Sequence, residues 1–282
     1  MSLRSHEAAA CAVIAIGVCG VLVGSLLVES MRNGQSSAKA TVSTAQSTEE
    51  IQAQTEPTQM PAPTPEPEPV VQTVHFSATG DNLIHEGIYN QARARGSEYG
   101  VVYLDQRDVI EKQITDMRPN CDVLVVSCHW GVEGSHTVTD AQRETAQWLA
   151  DQGADLIIGT HPHVTQTAQW LTGTNENKSF VAYSLGNFIN AQDMPDNMIG
   201  AILDVTFQKT TAADGTVTVE IQNPVLHPVI TQYEPHYANI RVYLYKDYTD
   251  ELGAAHGNFA LSRASIEQVL NGSIDSEFLS LE

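Results

Sequence analysis

One short run in the middle of the chain, Asp122–Cys128 (DVLVVSC), is apolar at almost every position, and Asp155–Gly159 (DLIIG) and Ser179–Phe188 (SFVAYSLGNF) read as further strands. A strand with one solvated face alternates apolar and polar residues, whereas a strand covered on both faces reads as a continuous apolar run. Such strands need a layer above and a layer below. The intervening sequence supplies helices for one of them. Val109–Met117 (VIEKQITDM) has helical spacing. Thr139–Gly153 (TDAQRETAQWLADQG) opens on an N-cap Thr, carries Ala146, Leu149 and Ala150 at helical spacing, and stops at a Gly. Before them, Thr73–Thr79 (TVHFSAT) is rich in strand formers and runs into Gly80-Asp81. Strand and helix alternate, which predicts a layered α/β fold. Beyond it, IGAILDVTFQ, the turn AADGT and VTVEIQ predict an antiparallel hairpin over 199–222, and a helix is expected over Phe259–Leu270.

The chain does not start with this domain. Ala8–Val28 (AAACAVIAIGVCGVLVGSLLV) holds no charge. About 20 such residues, at 1.5 Å rise, cross a bilayer core of roughly 30 Å. Arg4 precedes the run, which favours a cytoplasmic N-terminus. A cleaved signal peptide is the alternative. It normally has a shorter apolar region followed by a small-x-small site, and no such site follows directly here. Cys19 is preceded by Ile16, Gly17 and Val18, a poor match to a lipoprotein site. Residues 29–71 are rich in Ser, Thr, Gln, Glu and Pro and end in PAPTPEPEP, a composition that cannot offset chain entropy by burial. The reading is therefore a short cytoplasmic tail (1–7), a transmembrane anchor (8–28), a disordered spacer (29–71) and an extracytoplasmic domain (72–282). That domain has a core over 73–208 and a C-terminal hairpin and helix over 209–282. The protein is expected at the cell membrane as a single-pass protein.

Charge narrows the partners. With 34 acidic and 14 basic residues, the formal charge is -20. Nucleic acid is excluded as a partner, because phosphate binding needs a Lys/Arg surface. An anionic substrate would need local positive charge, which a bound metal supplies. Cys121 and Cys128 lie at opposite ends of one strand, roughly 23 Å apart at about 3.3 Å per residue, too far for a disulfide. No Cys-x-x-Cys occurs.

In parallel α/β sheets, sites form at the carboxyl ends of strands. The four strands end at Asp81, at His129 (HWGVE), at His161-Pro162-His163 and at SLGN with Asn187. An extended His-Pro-His would aim both imidazoles the same way, with Pro162 fixing the backbone between them. Asp81, His129, His161 and His163 are the candidate metal ligands, and a set of this kind suits Zn, Mn or Fe. Each residue has a plainer reading. Gly80-Asp81 is a common turn, His129 beside Trp130 can be a packed histidine, and Asn187 can cap a turn. Convergence of separate loops on one edge favours the site. Glu133 is either a substrate-binding or orienting residue or a solvated loop carboxylate. Asn187 is placed with Glu133 in the orienting role. His85 can line the site or begin a surface helix, and His75 is read as structural. No G-x-S-x-G, P-loop or G-x-G-x-x-G is present.

The blocks FSATGDNLIH, DVLVVSCHWGVE, GADLIIGTHPHV and YSLGNF resemble the bacterial capsule-synthesis CapA family, also called the poly-γ-glutamate biosynthesis family, over about residues 73–208. That resemblance implies a fold similar to calcineurin-like metallophosphoesterases, a layered α/β/β/α sandwich. It implies two metals at strand ends, with Asp81 and His163 on one and His129 and His161 on the other. It implies a metal-dependent hydrolase, with His129 and His161 in catalytic roles, acting on a phosphoester or amide-type centre. Partners would be an anionic cell-envelope polymer or capsule-synthesis subunits. The chain departs from the family in its middle. QARARGSEYG (91–100) passes directly to VVYLDQRDVIEKQI, and no Asn-His pair occurs anywhere. The family's carboxylate block and Asn-Asn-His block, its bridging ligand and general acid, are missing. Two cations without a bridging carboxylate repel and stay under-coordinated, so the expectation is a shortened sandwich with one divalent metal. The alternative is a non-catalytic envelope protein that binds polymer or a partner.

Overall fold

In the computed structural model, backbone and side chains are described for residues 68–80 and 106–282, and backbone pairing for 11–17 and 81–82. Two sheets stack face to face. The first has strands β1 (Cys11–Gly17), β4 (Val123–His129), β5 (Leu156–Thr160), β7 (Lys178–Leu185) and β6 (Thr165–Thr172), in the order β1-β4-β5-β7-β6. The first four are parallel and β6 is antiparallel. The second sheet is antiparallel, in the order β11 (Ala238–Leu244), β10 (Val217–Glu234), β9 (Ile199–Thr211) and β2 (Val70–Thr79). A two-strand ladder pairs β3 (Asp81–Asn82), which follows β2, with β8 (Asn187–Ile189), which follows β7. Helices α1 (Arg107–Met117) and α2 (Asp140–Asp151) follow the expected spacing.

The period-two alternation of the apolar strands explains the layers. Val123 and Val125 of β4, Leu156 and Ile158 of β5, and Phe180 and Ala182 of β7 enter one core, with Phe76, Leu203 and Val205 of the second sheet. Leu124 and Val126, Ile157, and Val181 and Tyr183 enter the other, with Ile110 and Ile114 of α1 and Leu149 of α2. The continuous apolar runs are thus two interleaved patterns, one for each neighbouring layer. Phe180 is fully buried and meets Trp170 and Phe278 edge-on, at ring-centroid distances of 5.0 and 5.2 Å.

Several boundaries differ from expectation. The second sheet begins at Val70, inside the stretch assigned to the spacer. The hairpin turns where expected, with Gly215 at φ 88°, but β10 continues to Glu234 through Pro224 and Pro228. Pro224 sits in a bulge between Gln222 and Val225, beside Asn223 at φ 51°. Pro228 lies one residue before pairing with β11 begins at Val229, so its missing N–H breaks no bond on that side. The last helix is Arg263–Ser273 (α4, after the short α3, Asp250–Ala254), because Ser262 caps it by accepting from Ser265 N.

The N-terminal apolar run differs more. Cys11–Gly17, inside the expected anchor, pairs in parallel with β4 as a strand, and Gly17 stands opposite His129. A short uncharged apolar run meets the template of a buried strand as well as that of part of a spanning helix. No helix among the described residues is long and apolar enough to cross a membrane. The rest of the 8–28 segment, most of the 29–71 spacer, and His85 lie outside the described residues.

Candidate metal centre

The site forms where β4 and β5 end. His129 stands opposite Thr160 in the register of these strands. By alternation both side chains fall on the face toward the second sheet. His129 Nδ1 is 3.3 Å from Thr160 Oγ1, and that hydroxyl donates to Cys128 O at 3.2 Å. A hydroxyl has one proton, so Thr160 accepts from His129 Nδ1–H, and the lone pair of the ring falls on Nε2. On the opposite face Trp130 anchors the loop. Its Nε1 donates to Tyr183 O at 2.8 Å across Gly159, where a Cβ would lie 2.4 Å from that nitrogen.

The chain then turns sharply. His161 has φ 96° and His163 φ 62°, both in the left-handed region that L-residues seldom enter. This corrects the extended His-Pro-His expected from sequence. The two imidazoles converge because a tight turn folds around Pro162, not because alternate residues of a strand share a face. Such backbone costs about 1–3 kcal/mol per residue and persists where neighbours hold it. Here Trp130 N donates to Thr160 O at 3.1 Å and Gly134 N donates to Pro162 O at 2.8 Å.

The turn brings the rings of His161 and His163 to a centroid distance of 5.9 Å and those of His129 and His161 to 4.5 Å. Glu133 joins them. One ligand atom from each of Glu133, His161 and His163 lies within 4.8 Å of the others. Two imidazole nitrogens and a carboxylate oxygen at this spacing fit a divalent transition ion. Glu133, expected to orient or bind substrate, lies close enough to both imidazoles to share an ion with them. The backbone of Asp81, expected as a ligand, pairs with Asn187 in the β3–β8 ladder, and its side chain lies outside the described residues.

Asn187 is fully buried and faces His163, with Oδ1 3.0 Å from His163 Nδ1. Its Nδ2 donates to Gln192 Oε1 at 2.9 Å and to Asn197 O at 3.1 Å. That fixes the amide, so Oδ1 accepts from His163 Nδ1–H and Nε2 carries the lone pair. Hydrogen-bond partners of this kind set the tautomer of metal-binding histidines. Burial, followed by the charges of His161 and His163, pushes the His129 pKa down to about 4, against the opposing pull of Glu133. His129 is therefore a neutral imidazole at physiological pH.

Sequence reading missed Thr160, Gln192 and Asn197. Thr160 had a signal, since it is the last residue of an apolar strand opposite His129. Gln192 and Asn197 had none, because their role arises from a loop that folds back on Asn187.

The sequence comparisons agree with one another. The profile of the bacterial capsule synthesis protein family PGA_cap matches residues 3–192. The PGA biosynthesis protein CapA of Bacillus subtilis (strain 168) is 31% identical over 137 residues, which is 48% of this chain and 34% of that protein. The capsule biosynthesis protein CapA of Bacillus anthracis is 32% identical over 127 residues, 43% of this chain and 30% of that protein. The chain spans about a third of the length of each of these relatives.

Proposed function

We propose, since the chain belongs to the bacterial capsule synthesis family PGA_cap, that it is a cell-envelope protein of capsule or poly-γ-glutamate synthesis with metal-dependent hydrolase chemistry. The observation that carries this reading is the convergence of Glu133, His161 and His163 within 4.8 Å, with the His129 ring against His161. Glu133, His161 and His163 would hold a Zn, Mn or Fe ion, with His129 and Asp81 completing the set. When bound, such an ion polarises a phosphoryl or carbonyl oxygen and lowers the pKa of water.

The chain's own residues prepare that chemistry. Thr160 and Asn187 hold Nδ1–H of His129 and His163, which presents both Nε2 lone pairs. Burial keeps His129 uncharged at neutral pH, so it does not repel a cation. Glu133 brings a carboxylate beside the imidazoles of His161 and His163. The test is hydrolysis of chromogenic phosphoesters and γ-glutamyl amides by the full chain with added Mn²⁺ or Zn²⁺. Turnover that disappears with a chelator and with His161→Ala supports the reading. Turnover that survives both overturns it.

A second reading is a non-catalytic protein that binds an envelope polymer or a capsule-synthesis subunit. The missing Asn-His pair favours it. Binding of poly-γ-glutamate by chelated protein, without turnover, would support it. The apolar 8–28 segment supports a membrane tether with the domain outside the cytoplasm. Pairing of Cys11–Gly17 with β4 is the competing use of the same residues. Partition of the full chain between membrane and soluble fractions decides between them.

A further inference from the structure

Glu133 is exposed and lies in a loop without regular structure, so something must hold it beside the two histidines. Two fully buried glutamines lie under that loop. Gln142 is 1% exposed and Gln166 is 0% exposed. A buried amide must find partners for both its oxygen and its NH₂ group, and here each does. Gln142 completes the capping box of α2, where its Oε1 accepts from Thr139 N at 3.0 Å and from Thr139 Oγ1 at 3.1 Å. Its Nε2 donates to Gln166 Oε1 at 2.8 Å. Gln166 Nε2 then donates to Ser135 O at 2.8 Å and to Thr137 O at 3.2 Å, both on the Glu133 loop. The start of the loop rests on the same pair. Gly131 has φ 87°, and a Cβ there would meet the Gln142 amide at 3.0 Å.

The order of donors and acceptors has a direction. The cap of α2 fixes the Gln142 amide, Gln142 fixes the Gln166 amide, and Gln166 grips two carbonyls of the loop. Gln166 itself sits on β6, three residues after His163. One buried side chain thus ties the segment that follows the histidines to the loop that carries the carboxylate. We infer that Gln142 and Gln166 are positioning residues of the centre. They form a clamp that sets Glu133 against His161 and His163 and couples the cap of α2 to the ligand geometry. The metal part of this inference rests on the reading proposed above. The loop-ordering part does not.

Gln166→Glu in the full-length chain separates the possibilities. The carboxylate keeps an acceptor for Gln142 Nε2 but has no N–H for Ser135 O and Thr137 O. A core truncation on β9, Val205→Ala, serves as a control for general destabilisation. In metal-free protein, Gln166→Glu should speed amide hydrogen exchange across 132–137 about ten-fold or more relative to Val205→Ala. Its Mn²⁺ affinity, measured by calorimetry, should fall about ten- to a hundred-fold, as for outer-shell partners elsewhere. Gln166→Asn, which keeps the donors on a shorter stem, should recover part of both effects. Exchange over 132–137 no faster than in Val205→Ala would overturn the clamp. Faster exchange with unchanged Mn²⁺ affinity would overturn its link to the ligands. If the unaltered protein binds no Mn²⁺ or Zn²⁺, the metal reading fails, and the exchange result still decides the clamp.

Discussion

Both sheets of the molecule carry histidines beside a carboxylate. On the antiparallel sheet, His75 of β2 and His227 of β10 flank β9, which carries Asp204. Thr206 Oγ1 is 3.0 Å from His75 Nδ1, His227 Nε2 is 3.6 Å from Asp204 Oδ2, and Ser77 Oγ donates to the other oxygen of Asp204. On the parallel sheet, His129, His161, His163 and Glu133 stand at strand ends. The residue types are the same and the outcomes are not. On the antiparallel sheet the side chains are spaced by the strands. β2 and β10 are two strand spacings apart, roughly 9.5 Å, so His75 and His227 each settle with a local partner. At the ends of β4 and β5 the chain is free to turn. Two left-handed residues around Pro162 draw together groups that regular strands would separate. A metal centre depends on loops that can violate strand geometry, held by a scaffold that does not.

That contrast can be broken most directly at the ligands. Glu133→Ala and His163→Ala should each weaken Mn²⁺ binding by more than about 100-fold, beyond what loss of an outer-shell partner causes. His75→Ala and His227→Ala should leave it unchanged. Calorimetric titration checks both, and equal losses from the two sheets would erase the distinction.

Next in size is the shared core. Phe180 lies between the sheets with no exposure. Phe180→Ala should cost about 3–5 kcal/mol in urea unfolding. Ser77→Ala, on the outer face of the antiparallel sheet, should stay within about 0.5 kcal/mol.

Acid should act through the parallel sheet as well. The folded pKa of His129, about 4, lies below that of an unfolded imidazole, about 6.5. The unfolded state takes up this proton first. The contribution of neutral His129 is therefore complete above about pH 6.5 and is lost as pH falls toward 4. Urea unfolding of metal-free protein across that window should show it, and His129→Gln should flatten the slope. An unaltered slope in that variant would contradict a buried, neutral His129.

The smallest effect sharpens the comparison. Asn187→Ala removes the acceptor of His163 Nδ1–H but no ligand. It should lower metal affinity about ten- to a hundred-fold, less than loss of Glu133. A loss as large as that of His163→Ala would place Asn187 among the ligands.

The scaffold was legible in the sequence because its signals are periodic. DVLVVSC and DLIIG read as short strands with two covered faces, and Thr139 marks a helix start. β6 escaped notice because TQTAQWLT mixes Thr and Gln into its buried positions, and Thr165 and Gln166 are buried to make hydrogen bonds rather than to pack. β10 runs past the hairpin expected over 199–222 because a bulge at Pro224 and a half-paired position at Pro228 accommodate both prolines. In the site, the histidines were visible as residue types at strand ends, but their convergence was attributed to the wrong geometry. Nothing local in the sequence distinguishes Glu133 from a solvated carboxylate. Its place depends on Gln166, more than thirty residues away, and sequence spacing does not report such contacts.

The transition-metal content of the purified full-length chain, compared with that of its His161→Ala and His75→Ala variants, tests the central claim most directly. The account predicts about one equivalent of Zn, Mn or Fe in the unaltered chain and in His75→Ala, and none above background in His161→Ala. A chain that carries no metal, or one whose metal is indifferent to His161, would contradict it.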